Sequence, residues 1–274
     1  MIERFRYHAF TTGVSGRITQ PFDEIIPVQA SLALPESGGF GTVRADRFDF
    51  HGIIAFESAQ AVVAGSFSER DRTFDAVATV TITGLNILGM VTADRIVARI
   101  ASSHHKDPEL GHSITPLGSS FENLRIAGYR VELDLAAGTF TRLDTYGKVC
   151  EAYRENQDGF RDEFDKLTLI GREDDVPDWM RRYFPNVGAG RSRSIEQSQG
   201  VIACSLVREV HGLPRELRPV GHVIHLRDFG TIRLAEFLIT GTERSITMLQ
   251  VDLGSTPTGS GSVGGAAGNG SDYG

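Results

Sequence analysis

The chain has 274 residues, 40% of them hydrophobic, and its 28 basic and 35 acidic side chains leave a formal net charge of -7. That content can fill a core, in one large all-β domain or in two smaller ones. The acidic balance, with an isoelectric point near 5.6, speaks against nucleic acid or an anionic membrane as partner, because either needs a clustered basic surface.

The first eight residues, Met1 to His8, carry charge but no apolar stretch of the length a secretory signal needs. No apolar run approaches the roughly 18 residues of a membrane-spanning helix. The chain as it stands is expected in the cytoplasm, and outside the cell or at its surface if a leader has been removed.

From the N-terminus to about residue 149, short β-branched runs alternate with glycine punctuation. Ser31–Leu34, Phe48–Phe50, Ala61–Ala64, Ala76–Ile82 and Arg95–Ile100 read as strands, and Gly38, Gly39, Gly65, Gly84, Gly111, Gly118, Gly128 and Gly138 as the turns around them. In Tyr129–Leu135 the alternation puts Val131, Leu133 and Leu135 on one face and Arg130, Glu132 and Asp134 on the other. Such spacing predicts an antiparallel sandwich or jelly-roll-like body.

A phrase recurs within this region: a glycine, four residues, then an acid. It stands at Gly41–Asp46, Gly52–Glu57 and Gly89–Asp94, with a looser copy at Gly230–Glu236 that has one extra residue. Each copy reads as a turn glycine feeding a strand. The intervals between copies are far from constant, which favours the sandwich over the alternative, a β-solenoid.

Residues 150 to 200 form a polar insert. Phe160, Phe164 and Leu167 recur at helical spacing, and a short helix is expected from Pro177 through Trp179 to Phe184, capped by Asp175. The arginines Arg181, Arg182, Arg191 and Arg193 lie among acids and read as a solvated mixed-charge loop. Strands return over residues 201–253. From residue 254 to 274 the composition falls to Gly, Ser, Thr and Ala, which predicts a flexible tail.

No catalytic motif accompanies these elements. His104, His105 and His112 with Asp107 bring metal-binding residue types together, but neighbouring histidines on a strand point to opposite faces, and the stretch reads as a polar loop. Asn156–Asp165 has partial calcium-loop spacing around Gly159, yet Arg154 takes the first ligand position, so an ordinary acidic loop is expected. Cys204 lies in the apolar run Val201–Val207 and reads as a small buried hydrophobe rather than the partner of His211 in a thiol-imidazole pair. Glu132 and Asp134 read as soluble surface. Two cysteines make no disulfide framework, and a single Cys150–Cys204 bridge is left open. Neither metal nor cofactor is expected.

The segments Gly84–Ala98 and Gly118–Val131 resemble the core of bacterial choice-of-anchor P proteins, which are β-rich surface proteins with varied C-terminal anchors. With the stretch between them, the two segments span about a fifth of the chain. It implies a β-rich bacterial protein with a non-catalytic role.

The function expected is structural: a sandwich that self-associates into an oligomer, shell or filament through its sheet edges and glycine-rich tail, with Val263 and Tyr273 as apolar contacts on a second copy. On that expectation, removal of residues 255–274 leaves the body folded and weakens assembly. The alternative is a carbohydrate- or protein-binding module using a strand face or the loops at His104–His112 and Trp179–Tyr183. An enzyme without a recognisable motif would need a deep pocket with converging polar groups.

Overall fold

A computed structural model describes residues 4–168, 200–254 and 257–273. Ahead of the insert lie β1 (Arg4–Gln20), β2 (Glu24–Gln29), β3 (Leu32–Ala33), β4 (Gly39–Phe50), β5 (Ile54–Ser68), β6 (Thr73–Ile87) and β7 (Val91–His105), then the short β8 (His112–Thr115), β9 (Ser120–Glu122), β10 (Arg125–Ile126), β11 (Tyr129–Arg130) and β12 (Glu132–Leu135). Among the described residues three α-helices follow, α1 (Ala137–Arg142), α2 (Tyr146–Glu155) and α3 (Phe160–Thr168). The chain then returns through β13 (Val201–Ser205), β14 (Val207–His211), β15 (Val223–Leu226), β16 (Gly230–Thr240), β17 (Glu243–Gly254) and β18 (Thr258–Tyr273).

These elements build an antiparallel sandwich, as the strand spacing predicts, and neither sheet closes into a barrel. One sheet runs β13-β16-β17-β18-β1-β2, with β15 beside β16 and β3 beside β1. The other runs β11-β10-β7-β6-β5-β4, with β8 and β9 beside β7. The sheets stack so that β1 lies over β5 and β6, β18 over β6 and β7, and β17 over β7. Alternate residues fill the space between: Ala59, Ala61 and Val63 from β5, Ala78, Val80 and Ile82 from β6, Ile96, Ala98 and Ile100 from β7.

The predicted flexible tail is corrected by the structure. Residues 258–273 form β18, which pairs with β1 along its whole length and with β17 from Thr258 to Asn269. Gly/Ser composition signals disorder when a segment has nothing to pair with, because ordering costs about 1–2 kcal/mol per residue of backbone entropy. Here both backbone edges are bonded. The glycines have a packing reason as well: a Cβ on Gly268 would stand 3.2 Å from Ile100 Cγ2, and one on Gly264 would stand 3.6 Å from Ile96 Cγ2. Side chains of β7 therefore rest directly on the β18 backbone.

Both sheets bend along a single row. In β16, β17, β18 and β1 the buried face changes phase at Ala235, Met248, Gly264 and Gly13, residues that stand in one row without bridging while the pairs on either side keep register. Ala235 and Gly264 take positive φ, 48° and 69°. The second sheet does the same at Arg47, Glu57, Gly84 and Asp94, with Arg47 and Gly84 at 55° and 63°. The recurring phrase acquires a physical meaning from this row. Gly52 and Gly89 sit in tight turns at φ 67° and 66°, and the acid five positions on, Glu57 or Asp94, reaches the bend. The first copy departs from expectation, since Gly41 lies inside β4 opposite Val63 rather than in a turn.

Gly89 and Gly128 (φ 83°) lie in turns with open space where a Cβ would stand. Replacing either by Val therefore costs only the strained backbone, about 1–2 kcal/mol. Thermal melting of the two variants checks this, and an unshifted midpoint in both would contradict it.

The insert is helical earlier than expected, beginning at Ala137. Phe160, Phe164 and Leu167 are buried on α3, in agreement with their spacing. The expected helix at residues 177–184 and the arginines at 181–193 lie outside the described residues. The expected single strand Tyr129–Leu135 divides at the buried Val131, whose N–H donates to Leu124 O, into β11 and β12, and β12 pairs with β14 instead of continuing the sheet.

Candidate interaction edge

The two sides of the sandwich differ. On the β16 side the insert closes the body. Phe140 of α1 packs against Phe237 with tilted rings 5.1 Å apart, and the Arg208 guanidinium donates to Glu163 Oε1 (2.6 Å) on α3, Thr139 Oγ1 (2.6 Å) on α1 and Asp134 Oδ1 (3.3 Å) on β12. Arg244 on β17 is 1% exposed and donates to Phe140 O and Leu143 O at the end of α1. Burial pulls its guanidinium down to about 10, against the pull of Cys204 and Asp144.

The opposite side is open. There the last strand of one sheet is β2 and the last strand of the other is β4. Each has one row of backbone N–H and C=O groups with no strand beside it among the described residues, the arrangement that invites another strand. Large apolar side chains stand exposed on these two strands: Phe40 on β4 is 71% exposed, and Ile25 and Val28 on β2 are 67% and 55%. The first half of β4, Gly39–Val43, has no charge, whereas the second half carries Arg44, Asp46, Arg47 and Asp49. Arg44 Nε donates to Asp46 Oδ1 at 2.8 Å on the exposed surface.

The residues singled out from sequence fall elsewhere. Val263 is 1% exposed, opposite Val14 and Leu249 in the core, so it has no surface to offer a second copy. Tyr273 stands opposite Arg4 in the β1–β18 register. Cys204 is buried with its thiol pushed up to about 12 by burial and donating to Phe237 O, while His211 is exposed beside Glu209. Cys150 and Cys204 are free thiols. Asn156 ends α2 in the left-handed conformation, and its Oδ1 accepts from the Arg161 N–H (3.0 Å), so the candidate calcium loop is a helix-to-helix connector. Glu132 and Asp134 pair with Arg130 and Arg208. Among the described residues no group of three or more His, Cys, Asp or Glu side chains could hold a metal ion.

His104 and His112 are neighbours across β7 and β8, with stacked rings 5.2 Å apart, and Phe5 lies 5.3 Å from His104. Burial, helped by His112 and opposed by Asp75, pushes the His104 imidazole down to about 4. The folded protein thus refuses a proton that the unfolded chain accepts at the ordinary value near 6.5. Above that pH the group costs nothing; stability falls as pH drops toward 4, and below it the loss is complete. We expect a loss of about 2 kcal/mol over this window after allowance for partial exposure. Melting curves at pH about 7.5 and about 4.5 check the sign, and His104→Phe should reduce the difference.

On the outer face of the β4-to-β8 sheet lies a shallow groove of about 330 Å³ lined by Ser66, Asp75, Val77, Ser103, Ser113 and Thr115. Thr73 Oγ1 and Ser103 Oγ donate to the Asp75 carboxylate at 2.9 and 2.6 Å.

Residues 5–240 match the family described as Domain of unknown function (DUF8256). The chain belongs to that family. The match ends before β17, so the two strands that complete the first sheet lie beyond it in this DUF8256 protein. Comparison with curated proteins and with solved structures finds no match.

Proposed function

We propose that this DUF8256 protein is a non-catalytic structural β-sandwich that associates with copies of itself through the open β2/β4 side. The observation that carries the reading is the pairing of two free strand edges with exposed Phe40, Ile25 and Val28 on one side, while helices close the other. The glycine-rich strand takes no part, because its two edges are already bonded within the chain.

The experiment is native particle mass across a dilution series. A mass above the 29.9 kDa of one chain, falling toward it on dilution and in Phe40→Asp, is expected. A single monomeric mass at every concentration refutes the reading. In that event the hydroxyl-lined groove around Asp75 favours the second reading, a binding module for a carbohydrate or protein ligand.

A further inference from the structure

We infer that β4 pairs with β4 of a second copy, antiparallel and about a two-fold axis, in the register that sets Arg44 against Asp49 of the partner subunit and Asp46 against the partner's Arg47. The inference rests on the self-association proposed above and specifies its contact.

The argument begins with which β4 side chains share a face. Residues directly opposite in an antiparallel pair point to the same side. Val43, Ala45, Phe48 and Phe50 stand opposite Ala61, Ala59, Phe56 and Ile54, all buried, so they face the core. Arg44, Asp46 and Asp49 stand opposite Gln60, Ser58 and Ala55, none of them buried, so they face outward. The bend at Arg47 is what moves the outward set from even to odd numbers.

A copy of β4 laid alongside in the opposite direction must match face to face. With Arg44 against the partner's Asp49, Val43 falls opposite the partner's Phe50 and Ala45 opposite the partner's Phe48, core side to core side. The phase change at Arg47 makes this match possible, since in an unbent strand residues 44 and 49 would point to opposite faces. Every charge on the strand then meets its opposite: the order basic, acidic, basic, acidic reads as its own complement when reversed. Registers centred on Arg44, Asp46, Arg47 or Asp49 set like charges against one another. A strand guarded by one sign of charge rejects all comers; this strand pairs all four of its charges with a reversed copy only in the register proposed. Registers centred on Ala45 or Phe48 pair two of them and set an outward residue, Thr42 or Asp46, against the core-facing Phe48 or Phe50 of the partner subunit. The two-fold relation also closes the contact after one partner, giving a dimer with an isologous interface.

The test uses the full chain and four samples measured by native mass across dilution. Arg44→Asp alone makes two of the four cross-strand charge pairs repulsive, and Asp49→Arg alone does the same; each should raise the dissociation constant about tenfold or more. Mixing the two variants in equal amounts should restore wild-type affinity in a mixed dimer, and the double variant Arg44→Asp/Asp49→Arg should restore it in a dimer of its own. Asp49 Oδ1 also accepts the Gly52 N–H in the turn after β4. If Asp49→Arg therefore melts early, Arg44→Asp/Asp49→Asn takes its place and should recover part of the loss. Wild-type protein that associates while all variants match it, or single variants that weaken without rescue, overturns the register and leaves the proposed function standing. Wild-type protein that stays monomeric overturns both.

Discussion

Deleting residues 255–274 is expected to abolish the fold, in contrast to the expectation from composition that the body survives without its tail. β18 is the central strand between β1 and β17, and its loss would separate β1 and β2 from β16 and β17. Val263, Ala266 and Ala267 would leave the core, and the backbone groups of β1 and β17 that face β18 would lose their partners. Domain stabilities of about 5–15 kcal/mol do not survive removal of a central strand. Circular dichroism and denaturant titration of the truncated chain should show no cooperative transition. A truncated protein that melts like the full chain would mean that β18 is dispensable and would return the segment to the status of a tail.

The second large effect is expected at Arg244. Replacing it by Met keeps much of the volume but removes the donors that hold the Phe140 and Leu143 carbonyls and the cation 5.7 Å from the Phe237 ring. The last carbonyls of a short helix then lie beside an apolar core without partners. A loss of about 3 kcal/mol is expected, read as a fall in the denaturant midpoint with little change in slope. Arg244→Lys should recover only part, since one ammonium cannot match the spread of the guanidinium fork. A midpoint unchanged in Arg244→Met would show that the helix is held by Phe140 packing alone.

The strands β5, β6 and β7 were legible because their residues alternate between core and surface and the turns before β5 and before β7 carry glycine at positive φ, Gly52 and Gly89. β18 was not, because its signal is cancelled by its position: side chains such as Ile96 and Ile100 arrive from the facing sheet, and the strand beneath them must be small. β1 was missed for a related reason. Its alternation, Phe5, Tyr7, Ala9, Thr11 and then Val14 and Ile18, breaks phase at Gly13, so a period-two reading sees two weak fragments. A corresponding phase break at Arg47 hides the self-complementary order of charges on β4, which looks like ordinary solvated surface until the bend assigns Asp49 and Arg44 to one face. Arg244 carried no local signal, as its partners lie about a hundred positions earlier in the chain.

The pairing of β1 with β18 also dictates the order in which the molecule can be finished. Arg4 meets Tyr273 and Gln20 meets Thr258, so the centre of one sheet joins two segments that lie well over two hundred positions apart in sequence. Closing a loop of that length is slow compared with forming the hairpins β4-β5, β5-β6 and β6-β7, which need only neighbours in sequence. During synthesis the second sheet can form early while its apolar face waits uncovered, a state prone to capture by other chains. Docking of β18 between β1 and β17 is therefore the event that converts a sticky half-sandwich into the native protein.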